Sequence, residues 1–353
     1  MIREITINGY KSILDETFAV RNLTILTGLN GSGKSSFIQS IRMLFDSDIE
    51  NPFLEGFGDY SELKSIHTGP SNFVTISALN EHGEANTIQL DSASFSVQRN
   101  FSHFVEYISA ERLGPKTSLP IKLNRSISVG EQGEFCADFY NKFKSSLVCK
   151  NLKHPDQSSN TLEAQLREWM RGISPNIKFD FTVDRLHDLS TIKIDNRRAT
   201  NTGFGISYSL PVVLSALVLS SEDCLDFDHP HAETWYKDLK NKGAILIVEN
   251  PEAHIHPSGQ TQLGILLGLL STSGVQVIIE THSDHVIDGV RIAVKECDSL
   301  EPDNVIIKHF FKSANKPSKC TDIFVLPSGN LSQWPEGFFD QMQTNLRRLA
   351  RRN

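Results

Sequence analysis

Gly28-Leu29-Asn30-Gly31-Ser32-Gly33-Lys34-Ser35 spaces two glycines, a lysine and a hydroxyl as G-x-x-x-x-G-K-[ST], the pattern of a phosphate-binding loop. Glycines let successive backbone N–H groups turn inward on an anion, and a helix starting after them adds the partial positive charge of its N-terminus. Lys34 is long enough to reach the β- and γ-phosphates of a nucleotide, and the Ser35 hydroxyl can ligate Mg2+. Asn30, Ser32 and Ser36 complete the expected cradle. ATP and Mg2+ are therefore the expected ligands.

Such a loop works only where a strand runs into it and a helix leaves it. Leu23 to Thr27 is a short β-prone run ending in Gly28, and Phe37, Ile38, Ile41 and Leu44 follow at helical spacing. A P-loop also needs an acid at the end of a neighbouring buried strand to hold Mg2+ directly or through water. Ile245 to Val248 is such a strand and delivers Glu249. A second strand, Val275 to Ile279, delivers Glu280 and His282. Helices are expected over Gln260 to Leu270, over Val286 to Val294 and from about Leu210, so this half reads as α/β alternation with parallel strands. Elsewhere Ile5 and Ile7 open the chain as a strand. Residues 51–100, with runs at Phe73 to Leu79 and Phe95 to Arg99, read as an antiparallel region. Phe135, Phe139, Phe143 and Leu147 step by four, which predicts one amphipathic helix with a buried face.

The bulk properties bound the class. The chain has 353 residues, enough for two domains or one large domain with an insertion, and 39% hydrophobic with 22% charged residues is ordinary globular usage. A net charge of −7 argues against coating nucleic acid by charge alone, although Arg347, Arg348, Arg351 and Arg352 form a basic tail. Apolar stretches such as Leu263 to Leu270 are far short of the roughly 20 residues that span a bilayer. Met1-Ile2-Arg3-Glu4-Ile5 does not read as an export signal, so a cytoplasmic protein without membrane contact is expected. Cys136, Cys149, Cys224, Cys297 and Cys320 form no C-x-x-C pair, which argues against zinc ribbons and redox motifs.

Glu249-Asn250-Pro251-Glu252-Ala253-His254-Ile255-His256-Pro257 resembles the D-E-P-E-x-H-L-H-P segment of ABC-type ATPases of the SMC and OLD (overcoming lysogenization defect) group. The resemblance implies that Glu249 takes the metal-coordinating place and that Asn250 falls where a water-activating glutamate usually stands. An amide can orient a water but cannot take its proton at neutral pH, so turnover is expected to be slow or to use another base. Glu252 and Glu280 are the candidates. His282 matches the switch histidine that relatives hold at the γ-phosphate, and His254 and His256 match a turn that contacts a partner subunit.

Asn201-Thr202-Gly203-Phe204-Gly205-Ile206-Ser207-Tyr208 looks like a shortened signature loop of the same group, in which Gly203, Gly205 and Ser207 would cradle the nucleotide of the opposite protomer. Lys11, after Asn8-Gly9-Tyr10, matches a basic residue that relatives carry near the nucleotide. Tyr107 to Pro115 and Trp334 to Asp340 resemble segments of one bacterial branch with a small C-terminal domain of unknown function. Arg112 in the first of these reads as a salt-bridge partner, or else as a sensor of nucleotide or partner subunit.

These readings give an α/β P-loop NTPase of ABC/SMC-head type, a mixed sheet with an antiparallel β region and a helical insertion. The expected division is an N-terminal ATPase lobe over 1–112, an insertion over 113–198, a C-terminal ATPase lobe over 199–330 and a helical tail over 331–353. The segment between Arg112 and Arg198 lacks the heptads of an SMC coiled coil, and the tail after His282 is too short for the Toprim nuclease domain of OLD proteins. The resemblance implies a homodimer that sandwiches ATP head to tail, or a higher oligomer built on it. It also implies a separate effector, a nuclease, controlled in bacterial antiviral defence. Alternatives are a nucleic-acid-binding repair or recombination ATPase and an ATP clamp without turnover.

Overall fold

The computed structural model describes residues 1–68, 73–122, 126–175, 177–227 and 230–350; Arg351 and Arg352 of the basic tail lie outside them. The N-terminal hairpin β1 (Ile2–Tyr10) and β2 (Ile13–Ala19) is followed by β3 (Leu23–Gly28), which runs through the glycine loop into α1 (Lys34–Phe45). After a single turn, α2 (Tyr60–Leu63), come β4 (Val74–Asn80), β5 (Ala85–Leu90) and β6 (Phe95–Gln98). These join the hairpin in an antiparallel sheet ordered β2-β1-β4-β5-β6. The antiparallel region therefore takes half its framework from the first 19 residues, beyond the expected 51–100.

Next come β7 (Phe104–Ile108), β8 (Leu119–Pro120), α3 (Cys136–Phe143), β9 (Ser146–Leu147), α4 (Leu162–Ile173), β10 (Phe179–Asp184), β11 (Leu189–Ile194) and β12 (Arg197–Arg198). The phenylalanine helix is shorter than its four-residue steps predict: Phe135 is its N-cap, it ends at Phe143, and Leu147 lies in the short strand β9, paired with β13. Phe139 and Phe143 are buried, as the periodicity requires.

The chain continues through α5 (Phe204–Leu219), β13 (Asp223–Cys224), α6 (Pro230–Lys242), β14 (Ala244–Glu249), α7 (Pro257–Leu270), β15 (Val275–Glu280), α8 (Asp284–Glu296), β16 (Val305–Phe311), β17 (Lys319–Phe324) and α9 (Gln341–Ala350). A second large sheet has the order β17-β16-β3-β15-β14-β7, parallel except where β17 turns back on β16. Its central strands are continuous apolar runs because both faces are covered. Successive side chains of a strand point to opposite faces. Accordingly Ile245, Ile247 and Ile278 meet α1 and the antiparallel sheet, while Leu246, Val248, Val277 and Ile279 enter the core formed with α5, α7 and α8. Phe139 and Phe143 of α3 and Trp169 and Met170 of α4 belong to that second core. The result is three layers, with every parallel strand ending on the side where the glycine loop lies. Among the described residues no helix is long and apolar enough to cross a membrane.

Candidate nucleotide site

The loop between β3 and α1 is shaped by glycines at positive φ: Gly28 (132°), Gly31 (73°) and Gly33 (114°). Gly28 admits no other residue, since an added Cβ would lie 2.0 Å from the Phe310 carbonyl oxygen on β16. Gly33 caps α1 without any side-chain hydrogen bond, and no acidic residue stands in the first turn. The first amides of α1 thus present their partial positive charge to the loop. Lys34 is almost fully buried and folds back so that Nζ donates to the carbonyls of Gly28 (2.9 Å) and Leu29 (3.1 Å). Ser32 Oγ is buried without a partner, Ser36 is buried, and Ser35 is exposed. Lys11, at φ 50°, donates to Gln39 Oε1 on α1 at 2.6 Å; burial pulls its pKa down, with Glu62 opposing.

Glu249 and Glu280 are register partners at the ends of β14 and β15. Glu280 is 8% exposed, with one oxygen 3.5 Å from Lys34 Nζ and the other buried without a partner. Burial pushes its pKa up to about 7; Lys34 pulls it down and Glu249 raises it. Burial also raises Glu249, against a hydrogen bond from Tyr107 and one from the Ala110 amide.

The other base candidate, Glu252, sits differently. Both oxygens of Glu252 are taken, one by Thr281 Oγ1 at 2.8 Å and one by the His282 amide at 2.8 Å, so it holds the loop that presents His282. His282 is exposed, and partial burial together with Lys34 lowers its pKa, which favours neutral imidazole. Asn250 occupies left-handed backbone at φ 44°, a conformation asparagine tolerates, and its Oδ1 is buried without a partner.

The stretch expected to be a signature loop is largely helical. α5 begins at Phe204, about a turn and a half before the expected Leu210, so Gly205 and Ser207 lie inside its first turns and Gly203 is the cap. A Cβ on Gly205 would stand 2.6 Å from the His254 carbonyl, whereas one on Gly203 would meet open space. Tyr208 and Phe204 pack on the His254 ring, at 4.7 and 5.4 Å between centroids. Among the described residues Arg112 forms no ion pair. Buried to 3% exposure, its guanidinium donates to the carbonyls of Tyr208 (3.1 Å), Glu249 (2.7 Å) and Asn250. Burial brings its pKa down to about 10. Tyr107, Thr281 and this bridging use of Arg112 were not legible in the sequence, because the groups they join are far apart along the chain.

The fit to Mg2+ rests on donor chemistry. A hydroxyl, Ser35, and a carboxylate, Glu249 at the end of β14, are oxygen donors that suit a hard cation. Among the described residues no three His, Cys, Asp or Glu side chains form a metal cluster. Ser35 and Glu249 would hold Mg2+ together with phosphate oxygens and water, and the ion would supply charge neutralisation there.

Residues 1–162 and 140–287 match the AAA ATPase domain family. The chain belongs to this family. Residues 300–349 match a family described as a protein of unknown function, DUF3696. No curated protein matches. Among solved structures, an SMC head bound to the C-winged helix domain of ScpA is 12% identical, covers 92% of this chain and 98% of its own, and superposes with a TM-score of 0.55. The SMC head domain from Thermotoga maritima, 12% identical, covers 91% and 98% with a TM-score of 0.48. The recombination mediator protein RecF with ATP, 11% identical, covers 91% and 99% with a TM-score of 0.46. The mixed α/β architecture of this AAA ATPase domain is that of the first, an SMC head.

Proposed function

We propose that this AAA ATPase domain hydrolyses Mg-ATP, with Glu280 as the group that takes the proton of the attacking water. The observation that carries this reading is the pair of Lys34 at the glycine loop with Glu280 at the end of β15: a buried carboxylate with one free oxygen and a pKa pushed up to about 7. A base is most useful when its pKa lies near the working pH. Lys34 would leave the carbonyls of Gly28 and Leu29 for the β- and γ-phosphates, and the α1 amides would receive the phosphate charge. Ser35 and Glu249 would hold Mg2+, which supplies charge neutralisation at the phosphates. Asn250 would orient the water and Glu280 accept its proton as the water oxygen bonds the γ-phosphorus. The bond from phosphorus to the β–γ bridging oxygen breaks, and ADP and phosphate leave. Neutral His282 would donate a hydrogen bond to the charge developing on the γ-phosphoryl oxygens.

The proposal includes a homodimer, in which the α5 N-terminus of one protomer, with Gly203, Gly205 and Ser207, faces the nucleotide of the other. The resemblance to SMC and OLD ATPases supports this, as it supports a separate effector, a nuclease in antiviral defence, as the output of the dimer. A second reading, a nucleic-acid-binding repair ATPase, draws on α9, whose last turn exposes Arg347 and Arg348. Phosphate release from Mg-ATP by the purified protein, with Lys34→Ala as background, tests the central claim. Turnover above that background that is lost in Glu280→Gln is the expected result. Turnover that Glu280→Gln leaves intact would remove Glu280 from the role. DNA-stimulated turnover that falls steeply with salt would favour the second reading.

A further inference from the structure

Beside β7, the outer strand of the parallel sheet, lies a recess of about 340 Å3 that the nucleotide chemistry does not use. Its walls are the end of α1, β7, Lys122 and residues 126–134. Four carboxylates, Asp46, Glu106, Glu131 and Glu134, line it against Lys122 and His103. Arg42 pairs with Asp46 and Glu131, and Lys122 donates to Ser128 Oγ at 2.8 Å.

Glu106 is the group left over. It is 1% exposed; Oε1 accepts the Val129 amide at 3.1 Å, and Oε2 is buried without a partner. His103 adds a second bare acceptor. Its Nδ1 is 2.8 Å from the Lys242 carbonyl, which can only accept, so Nδ1 carries the proton and the buried Nε2 has none and no partner. Buried polar atoms without partners are costly, and a ligand that pairs with them would relieve them.

We propose that this recess binds a small organic cation, a primary ammonium or guanidinium on a short aliphatic chain, with its charge against Glu106. The ammonium supplies a partner for the Glu106 carboxylate, and Phe45, Phe104, Val105 and Ile127 offer the apolar wall that an alkyl chain needs. A metal ion is a poorer match, since no cluster of three ligating side chains is present among the described residues. Burial pushes the Glu106 carboxyl up to about 8, with the Val129 amide and Lys122 pulling it down and Asp46 and Glu134 raising it. The Cys136 thiol also faces it, itself raised by burial and by Glu106 and Glu134. At pH 7 Glu106 is thus a neutral acid whose buried proton has no acceptor, and a bound cation expels that proton to solvent and pairs with the carboxylate. Uptake of the cation is expected to release about one proton at pH 7 and almost none above pH 9.

Calorimetric titration of the full chain with butylammonium and butylguanidinium, in two buffers of different ionisation enthalpy, tests this. The expected result is saturable one-to-one binding with buffer-dependent heat at pH 7 and buffer-independent heat above pH 9. Glu106→Gln keeps an acceptor for the Val129 amide and should weaken binding at least tenfold. Lys122→Met removes the competing cation and should tighten binding several-fold, which keeps the test open whatever Glu106→Gln does to folding. Absence of saturable heat, equal affinity in Glu106→Gln, looser binding in Lys122→Met, or equal binding of neutral 1-butanol would each overturn the proposal. Stronger binding of Mg2+ than of the amines at matched ionic strength would also overturn it.

Discussion

Lys34 and Glu280 stand 3.5 Å apart, each largely buried, and most of the chemistry proposed for this chain follows from that pair. Lys34→Ala removes the one cation buried in the glycine loop, so ATP affinity should fall at least a hundredfold by calorimetry; undiminished affinity would overturn the loop assignment. The Glu280 carboxyl is neutral below about pH 7 and ionised above it. Only the ionised form can accept a proton, so turnover should climb as pH rises from 6 to 8. In Glu280→Gln that limb should vanish along with most of the rate, roughly a hundredfold or more. A limb that persists in the variant would assign it to another group.

At the scale of elements, Arg112 joins three pieces that the sequence keeps apart, the end of β14, the turn at Asn250 and the first turns of α5. Its planar fork of five donors makes this geometry specific, and lysine cannot reproduce it. Arg112→Lys should cost about 2 kcal/mol of stability by urea unfolding, because buried carbonyls lose charged donors. It should also uncouple the signature helix from the Glu249 strand, which would appear as weaker ATP-driven dimerisation at unchanged monomer affinity for ATP. The glycines of the signature divide in the same way. Gly205 is a packing residue against the His254 carbonyl, so a bulky replacement disturbs the monomer, whereas a side chain on Gly203 meets open space. Gly203→Leu is therefore the clean probe. It should spare folding and ATP binding yet abolish the dimer seen by light scattering with Mg-ATP, and an unchanged dimer fraction would remove the proposed role of the α5 N-terminus.

On the scale of the whole molecule, a buried acid, Glu106, ties stability to pH. Glu106 rises from 4.5 to about 8 on folding, so the folded chain binds a proton that the unfolded chain has lost between those values. The stabilisation from this proton is complete below about pH 4.5 and is lost as pH climbs through 8. Glu106→Gln should therefore be more stable than the parent at pH 9, by about 1–3 kcal/mol, and nearly equal to it at pH 5. Equal stability of the two at pH 9 would mean that water relieves Glu106 of its burial cost.

Much of this protein can be read from local order in its sequence. The glycine loop, the apolar runs that make β3, β14 and β15, and the helical spacing of α1, α7 and α8 are local properties. They depend on neighbours within one turn or one strand, and so they were legible from composition and period alone. The phenylalanine steps failed at Leu147 because β9 pairs with β13, about 75 residues further on, and that pairing overrides local helical period. The candidate acids were visible at positions 249, 252 and 280, but their division of labour was not. Only the packed structure takes up both oxygens of Glu252 with Thr281 and His282, buries Glu280 beside Lys34, and turns Arg112 from a salt-bridge candidate into a bridge between carbonyls. The physical reason is that residue type sets what a group can donate or accept, while desolvation and pairing, which fix its protonation and its availability, come from atoms brought near by tertiary contacts.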